Sequence, residues 1–212
     1  MPTPFRTLAT AFLAMLVATP AAATEEDTQL WVYLNAAVPL GEGVTGTFEL
    51  SPRFREGPEQ MQTRAAVDFD LNDDLTLGGA VVWTEFAGGS EWRAQQQLGY
   101  SRGPLSLRTR LEERFFEGAD RAQIRFRQQA KLAFPLDDAT QLSGGVEFLY
   151  ILRDQMVGGD DRIDNWRFEV AARRRLSAHF DATLAYRAIL APRPGQEDKL
   201  SHVPVITLAW KP

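Results

Sequence analysis

The sequence predicts an all-β fold: an antiparallel up-and-down transmembrane β-barrel of about twelve strands, with ten as the alternative count. The first observation behind this is a strict alternation in residues 104–134. In one run Leu105, Leu107, Thr109, Leu111 and Phe115 share a face, opposite Ser106, Arg108, Arg110, Glu112 and Arg114. In the next, Ala122, Ile124, Phe126, Ala130, Leu132 and Phe134 oppose Gln123, Arg125, Arg127, Gln129 and Lys131. A period of two is a strand with one apolar and one charged face. A sheet that is apolar outside and charged inside is what a membrane-spanning barrel requires.

The second observation is the N-terminus. Arg6 supplies a positive start, Leu8 to Ala18 a short apolar stretch, and Pro20 with Ala21-Ala22-Ala23 a small-residue cleavage site. This is the pattern of a secretory signal peptide over residues 1–23, leaving a single barrel domain over 24–212. The apolar stretch is too short to span a bilayer as a helix, and no later stretch is long enough. No cysteine follows the small residues, so a lipoprotein anchor is not expected. The expected location is the outer membrane of a Gram-negative cell.

Composition narrows the function. Cysteine is absent, which excludes disulfides and thiolate metal sites. The formal charge of −5 argues against a nucleic-acid partner. Arginine outnumbers lysine twenty to three. Arginine forks pair bidentately with carboxylates and suit crowded, charged interiors.

Strands are expected at 29–38, 44–55, 60–71, 75–86, 91–101, 104–117, 121–134, 141–153, 163–176, 179–190 and 202–210. Tight turns at 72–74, 101–103, 135–139 and 177–179 alternate with mostly longer connections at 57–59, 87–90, 154–162 and 191–201. Short periplasmic turns and longer outer loops give that alternation. These segments number eleven, whereas bacterial barrels normally carry an even number. Twelve strands follow if residues 24–29 begin a separate strand, ten if 29–38 lies outside the wall. The last strand ends on Ile206, Leu208 and Trp210. It resembles the C-terminal signal read by the outer-membrane barrel assembly machinery, although Lys211-Pro212 follow it.

On the outer face the alternation places Phe48, Leu50, Phe54, Val67, Phe69, Leu77, Val81, Trp83, Trp92, Leu98, Tyr100, Phe148, Tyr150, Trp166, Phe168, Leu184 and Tyr186. Outer-membrane lipid and lipopolysaccharide are the partners this face expects. Glu85, Gln96, Glu113 and Gln128 interrupt it. A bulge between Glu112 and Glu113 would turn both carboxylates inward.

The lumen-lining candidates are Arg53, Arg64, Arg93, Arg108, Arg110, Glu112, Arg114, Arg125, Arg127, Lys131, Glu147, Arg167 and Glu169. With Arg55, Arg153, Arg173, Arg175, Arg187, Glu49, Asp68, Asp70, Glu91 and Asp181, the inner face carries fifteen cations and eight anions. Two readings follow. One is a salt-bridged interior filled by its own side chains. The other is a narrow, anion-attracting pore, since arginine linings favour anions.

The segments WVYLNAAVPL, FELSPRFREG, TRAAVDFDL, EWRAQQQLGY, LRTRLEERFFEG and RAQIRFRQQAKLAFPL carry a family resemblance. They resemble the uncharacterised proteobacterial family known as domain of unknown function 2490, from about Trp31 to Trp210. The most specific stretches are Arg108 to Phe115 and Arg121 to Arg127. The resemblance implies an outer-membrane barrel and supplies no catalytic residues.

Two other functions were weighed. An outer-membrane lipid hydrolase needs a Ser–His pair. Only His179 and His202 exist, and Ser201 beside His202 points to the opposite face of its strand. Ser90 approaches His202 only if the loops fold over. A soluble periplasmic barrel binding a small ligand would bury the apolar face instead. No cofactor motif appears. The acidic stretch 158–164 lacks EF-hand ligand spacing, and a solvated loop, bridged to lipopolysaccharide by divalent ions, fits it better. Gly78-Gly79 and Gly144-Gly145 fall within strands, where they mark bends or close backbone approach.

Overall fold

The computed structural model describes residues 24–212; the expected signal peptide lies outside the described residues. Eleven strands form one closed barrel. They are β1 (Thr24–Gly41), β2 (Val44–Arg55), β3 (Gln60–Asp70), β4 (Leu75–Phe86), β5 (Gly89–Arg102), β6 (Leu105–Phe116), β7 (Gln123–Pro135), β8 (Thr140–Arg153), β9 (Arg162–Arg175), β10 (Phe180–Ala191) and β11 (Asp198–Trp210). Sequence neighbours pair antiparallel all the way round.

The ring closes through a parallel pair, β1 with β11, from Thr24 opposite Asp198 to Ala36 opposite Trp210. This pair resolves the parity question. With an odd number of strands the first and last run the same way, so the closing ladder must be parallel. Residues 24–29 form no separate strand and residues 29–38 do not lie outside the wall; both belong to β1, paired in the ring. Likewise β11 begins at Asp198 because Lys199 to Ser201 pair on both sides.

The connections sort by rim. At one rim lie 42–43, 71–74, 103–104, 136–139 and 176–179; at the other lie 56–59, 87–88, 117–122, 154–161 and 192–197. Three turns at the first rim are pinned by a side chain at their start. Asn72 Oδ1 accepts from the amides of Asp74 and Leu75, both at 3.0 Å. Asp137 Oδ1 accepts from Ala139 and Thr140 at 2.8 and 2.7 Å, and Ser177 Oγ from His179 and Phe180 at 3.2 Å. Short polar side chains that mimic a backbone acceptor make such turns. The two-residue turns rely on Gly43 and Gly103, at φ of 64° and 58°. The expected loop at 87–90 is only two residues, 87–88, because Gly89 and Ser90 already pair with Phe86 and Glu85.

The partition of side chains is inverted relative to a soluble barrel. Glu112, Arg93, Arg110, Arg125, Arg127 and Glu147 are buried inside, while Phe48, Leu77, Trp92, Phe115, Phe168 and Leu184 are exposed around the outside. Burial is graded along the axis. On β5, Glu91, Arg93 and Gln95 are buried, Gln97 and Gly99 half-buried, and Ser101 exposed. On β7, Gln123, Arg125 and Arg127 are buried and Gln129 and Lys131 half-buried. Large charged residues fill the half toward the long loops. Many inward positions toward the short turns are small, among them Thr47, Ala80, Gly99, Ser143, Ala171 and Ala209, and the inner face is more exposed there.

Register shifts fall at Pro39/Gly41, Ile124/Arg125 and Leu149/Tyr150, not between Glu112 and Glu113. Glu113 stays opposite Ala94 and Ile124, on the outer face close to the long-loop rim. The glycine pairs coincide with close approach, not bulges. A Cβ on Gly145 would meet the Ala130 carbonyl oxygen at 2.8 Å, whereas one on Gly79 would meet Gln95 O at 3.6 Å. Gly145→Val is expected to destabilise by about 1–3 kcal/mol because backbone must move, and Gly79→Ala by much less. Urea unfolding in detergent would measure both.

Candidate lumen site

The inner faces of β5 to β9 carry two ion-pair groups, one around Glu91 and a larger one around Glu112 and Glu147. Glu91 accepts from Arg93 at 2.9 Å and Arg114 at 2.6 Å. Glu112, fully buried, accepts from Arg125 at 2.5 Å, Arg127 at 2.7 Å and the Gln95 amide at 2.9 Å. Glu147 joins Arg127 at 2.7 Å, Arg108 at 3.0 Å and Arg167 at 3.5 Å. Arg125 also reaches Asp164 at 2.7 Å. The register shift beside Asp164 makes this possible, since Asn165 faces Leu149 but Ile163 faces Tyr150. Glu169 pairs separately with Arg187, at 3.0 Å from its Nε.

The arginines of β2 and β3, together with Arg110 of β6, are matched differently. Arg53 donates to Gln62 Oε1 at 3.0 Å, Arg64 to Gln95 Oε1 at 3.3 Å and Arg110 to Gln97 Oε1 at 2.7 Å. The nearest carboxylate to Arg110 is Glu112 at 3.9 Å. Arg53 and Arg64 have no carboxylate within 4.0 Å among the described residues, and Arg53 Nε is buried without a hydrogen-bond partner. Glu49 and Asp68 lie on the same β2 and β3 but bond to Gln62 and Gln97 amides at 3.4 and 2.6 Å.

Between these groups is a cavity of about 560 Å³. Ten predicted residues line it: Arg53, Arg64, Arg93, Arg108, Arg110, Arg114, Arg125, Arg127, Glu147 and Arg167. Glu112 lies beneath the lining, while Lys131 and Glu169 sit on the inner face beyond it. In all, eleven arginines and four carboxylates face the cavity.

Sequence reasoning missed the third side. Trp31 is buried inside, its indole donating to Gln29 Oε1 at 2.8 Å, with the Arg53, Arg187 and Arg167 guanidinium carbons 4.1, 5.2 and 5.8 Å from its ring centre. It packs with Ile189, Val203 and Val205 in an apolar cluster at the closing seam. Around Trp31 both faces of β1 are apolar, so alternation gives no inner face there. The glutamines that hold Arg53, Arg64 and Arg110 carry no charge, so nothing in the alternation of charged and apolar residues sets them apart.

The candidate hydrolase pair is separated by the wall. Ser201 is buried inside and donates to Asp27 at 3.1 Å. His202 lies on the opposite face with its Nδ1 2.5 Å from the Tyr186 hydroxyl. His179 sits in the 176–179 turn against the Lys211 carbonyl. In the 154–161 loop, the Met156 amide and then the Arg162 guanidinium hold the Asp154 carboxyl below its ordinary range. A carboxyl lowered in the folded state stabilises above its unfolded pKa, about 4, and loses that contribution as pH falls through the lowered value. Acid-protease cleavage within this loop should therefore rise several-fold between about pH 5 and about pH 3.

A family model described as a protein of unknown function, DUF2490, matches residues 28–199. The chain belongs to the DUF2490 family. The match runs from the fifth residue of β1 to the start of β11, so in this DUF2490 protein it takes in all of the ion pairs of β5 to β9 and the glutamine-held arginines. No curated protein matches the chain.

Proposed function

We propose that this DUF2490 protein is an integral outer-membrane β-barrel, exported by a cleaved signal peptide, whose lumen attracts anions. The inverted partition carries this reading: a charged interior inside a wall of exposed Phe, Leu, Val and Trp side chains. In water that apolar surface would far exceed what monomeric proteins expose. In lipid it is the expected surface, and every strand's backbone is paired within the closed ring.

Further support comes from the aromatics. Toward the long loops, Trp83 and Trp92 pair across strands at 4.6 Å, and Phe148 and Trp166 at 4.5 Å. Toward the short turns stand Phe69, Tyr100, Phe134, Phe180 and Trp210. Two such bands are what interfacial girdles look like. Trp92 and Tyr100 are separated by roughly 26 Å along β5, or about 20 Å across a bilayer after tilt, near the apolar height of known barrels. One polar interruption of the outer face satisfies itself, Thr109 donating to Gln128 Oε1 at 2.7 Å. The long loops then face outward and the short turns the periplasm. No catalytic role is assigned, since Ser201 and His202 point to opposite sides of the wall.

The test is the outer-membrane fraction run unboiled and boiled on a semi-native gel, then planar-bilayer recording. A heat-dependent mobility shift with anion-preferring conductance is expected. Recovery in the soluble periplasm without a shift would sink the membrane reading, and a membrane barrel with cation preference would sink the lumen reading.

A further inference from the structure

The mismatch between the two sets of arginines points to a ligand. Arg125, Arg127 and Arg167 on β7 and β9 each have a carboxylate within 3.5 Å; half-buried Arg53 and Arg64 on β2 and β3 have none among the described residues, Arg110 on β6 has Glu112 only at 3.9 Å, and all three donate to the neutral oxygens of Gln62, Gln95 and Gln97. The glutamines link these guanidiniums to Glu49, Glu112 and Asp68 only at second hand, Arg53 Nε is buried without a partner, and eleven arginines face four carboxylates across the cavity, so the lining is short of negative charge and burying that excess is costly. Arg64 and Arg110 converge from β3 and β6 onto successive inward residues of β5, which puts two guanidinium forks over one patch. Forks so placed match the oxygens of a phosphate ester, which carries nearly two charges and three acceptor oxygens.

Size and polarity narrow the class. The cavity of about 560 Å³ holds far more than a bare ion and falls in the range of small-molecule sites. Its lining includes Gln29, Gln60, Gln62, Gln95, Gln97 and Gln129, whose amides both donate to and accept from hydroxyl groups. Trp31 and Tyr33 give one side an aromatic edge.

Resting on the anion-attracting lumen argued above, we propose that the cavity is a saturable site for a small phosphorylated polyol, the chemistry of a sugar phosphate. The phosphate seats on Arg64 and Arg110, and the hydroxyls are read by the glutamines.

Calorimetry on the refolded mature barrel in detergent, with fructose 1,6-bisphosphate, inorganic phosphate, citrate and fructose as probes, tests this. Saturable binding of the bisphosphate is expected, with phosphate at least tenfold weaker and fructose undetectable. Arg64→Gln and Arg110→Gln should each weaken the bisphosphate at least tenfold. Arg173→Gln, at the short-turn rim, should leave affinity within about twofold. The heat-dependent gel shift shows that each variant is folded. If Arg64→Gln fails to fold, Arg64→Lys, which keeps the charge and loses the fork, should still weaken binding.

Absence of saturation in the millimolar range overturns the proposal. So does phosphate binding as tightly as the bisphosphate, affinity indifferent to Arg64 and Arg110, or citrate binding with the bisphosphate excluded. Anion-preferring conductance without saturable binding would remove this site and leave the barrel reading standing. A chain that forms no membrane barrel would remove both.

Discussion

Glu112→Gln is expected to cost about 3–5 kcal/mol of barrel stability, the range for removing one partner of a buried ion pair. Glu112 is fully buried and is the shared counter-charge of Arg125 and Arg127, at 2.5 and 2.7 Å, with Arg110 at 3.9 Å. A glutamine keeps the volume but leaves these largely buried guanidiniums short of one negative charge. Arg127 retains Glu147 and Arg125 retains Asp164, so the network weakens without vanishing. The measurement is urea unfolding in detergent or lipid, alongside the temperature at which the unboiled band loses its mobility. Combining Glu112→Gln with Arg125→Gln removes a cation with the anion and should recover part of the loss, a coupling of at least about 1 kcal/mol. A single-variant cost below about 1 kcal/mol would mean that the interior is hydrated enough to screen the charges.

The outer and inner faces were legible in the sequence wherever alternation was clean. From Leu105 to Arg114 on β6 and from Ile124 to Arg127 on β7 each apolar residue is followed by a polar one, so a single choice of face fixes all of Arg108, Arg110, Glu112, Arg114, Arg125 and Arg127. Alternation carries no such information along Trp31-Val32-Tyr33-Leu34, where both faces are apolar, and there the aromatic side of the cavity went unread. Pairing partners were also hidden. Glu112 and Glu91 look alike as inward carboxylates, yet one serves β7 and the other β5 and β6, which only the register decides. Asp164 reaches the interior through a register shift that leaves no mark in the pattern of residues. The expected strand count of about twelve, with ten as the alternative, brackets the eleven observed. Eleven segments were visible, and a rule about even numbers moved the expectation to twelve, although a parallel closing pair satisfies an odd ring just as well.

Reversing charge at Arg110 should redirect ion preference, whereas reversing it at Arg127 should prevent the barrel from forming. The two side chains lie on paired residues of β6 and β7 and look equivalent in sequence. Arg127 is bound by Glu112 and Glu147, both at 2.7 Å, so a glutamate there would set three buried carboxylates side by side. Arg110 faces the cavity on a glutamine oxygen, so Arg110→Glu changes the lining with less damage to the network. A unit charge about 7 Å from a passing ion, at an effective dielectric of about 20, is worth about 2 kcal/mol, and reversal changes it by two units. Even after strong ionic screening this amounts to roughly a tenfold shift in the anion-to-cation permeability ratio. Arg108→Glu should act in the same sense and more weakly, because Arg108 already shares Glu147 at 3.0 Å and its reversal disturbs that pair. Bilayer recordings of the wild type, Arg110→Glu and Arg108→Glu would read the ratio from reversal potentials. Conductance that persists with its selectivity untouched by Arg110→Glu would place the ion path outside this cavity. The glutamine-held arginines would then serve only to hold a bound anion.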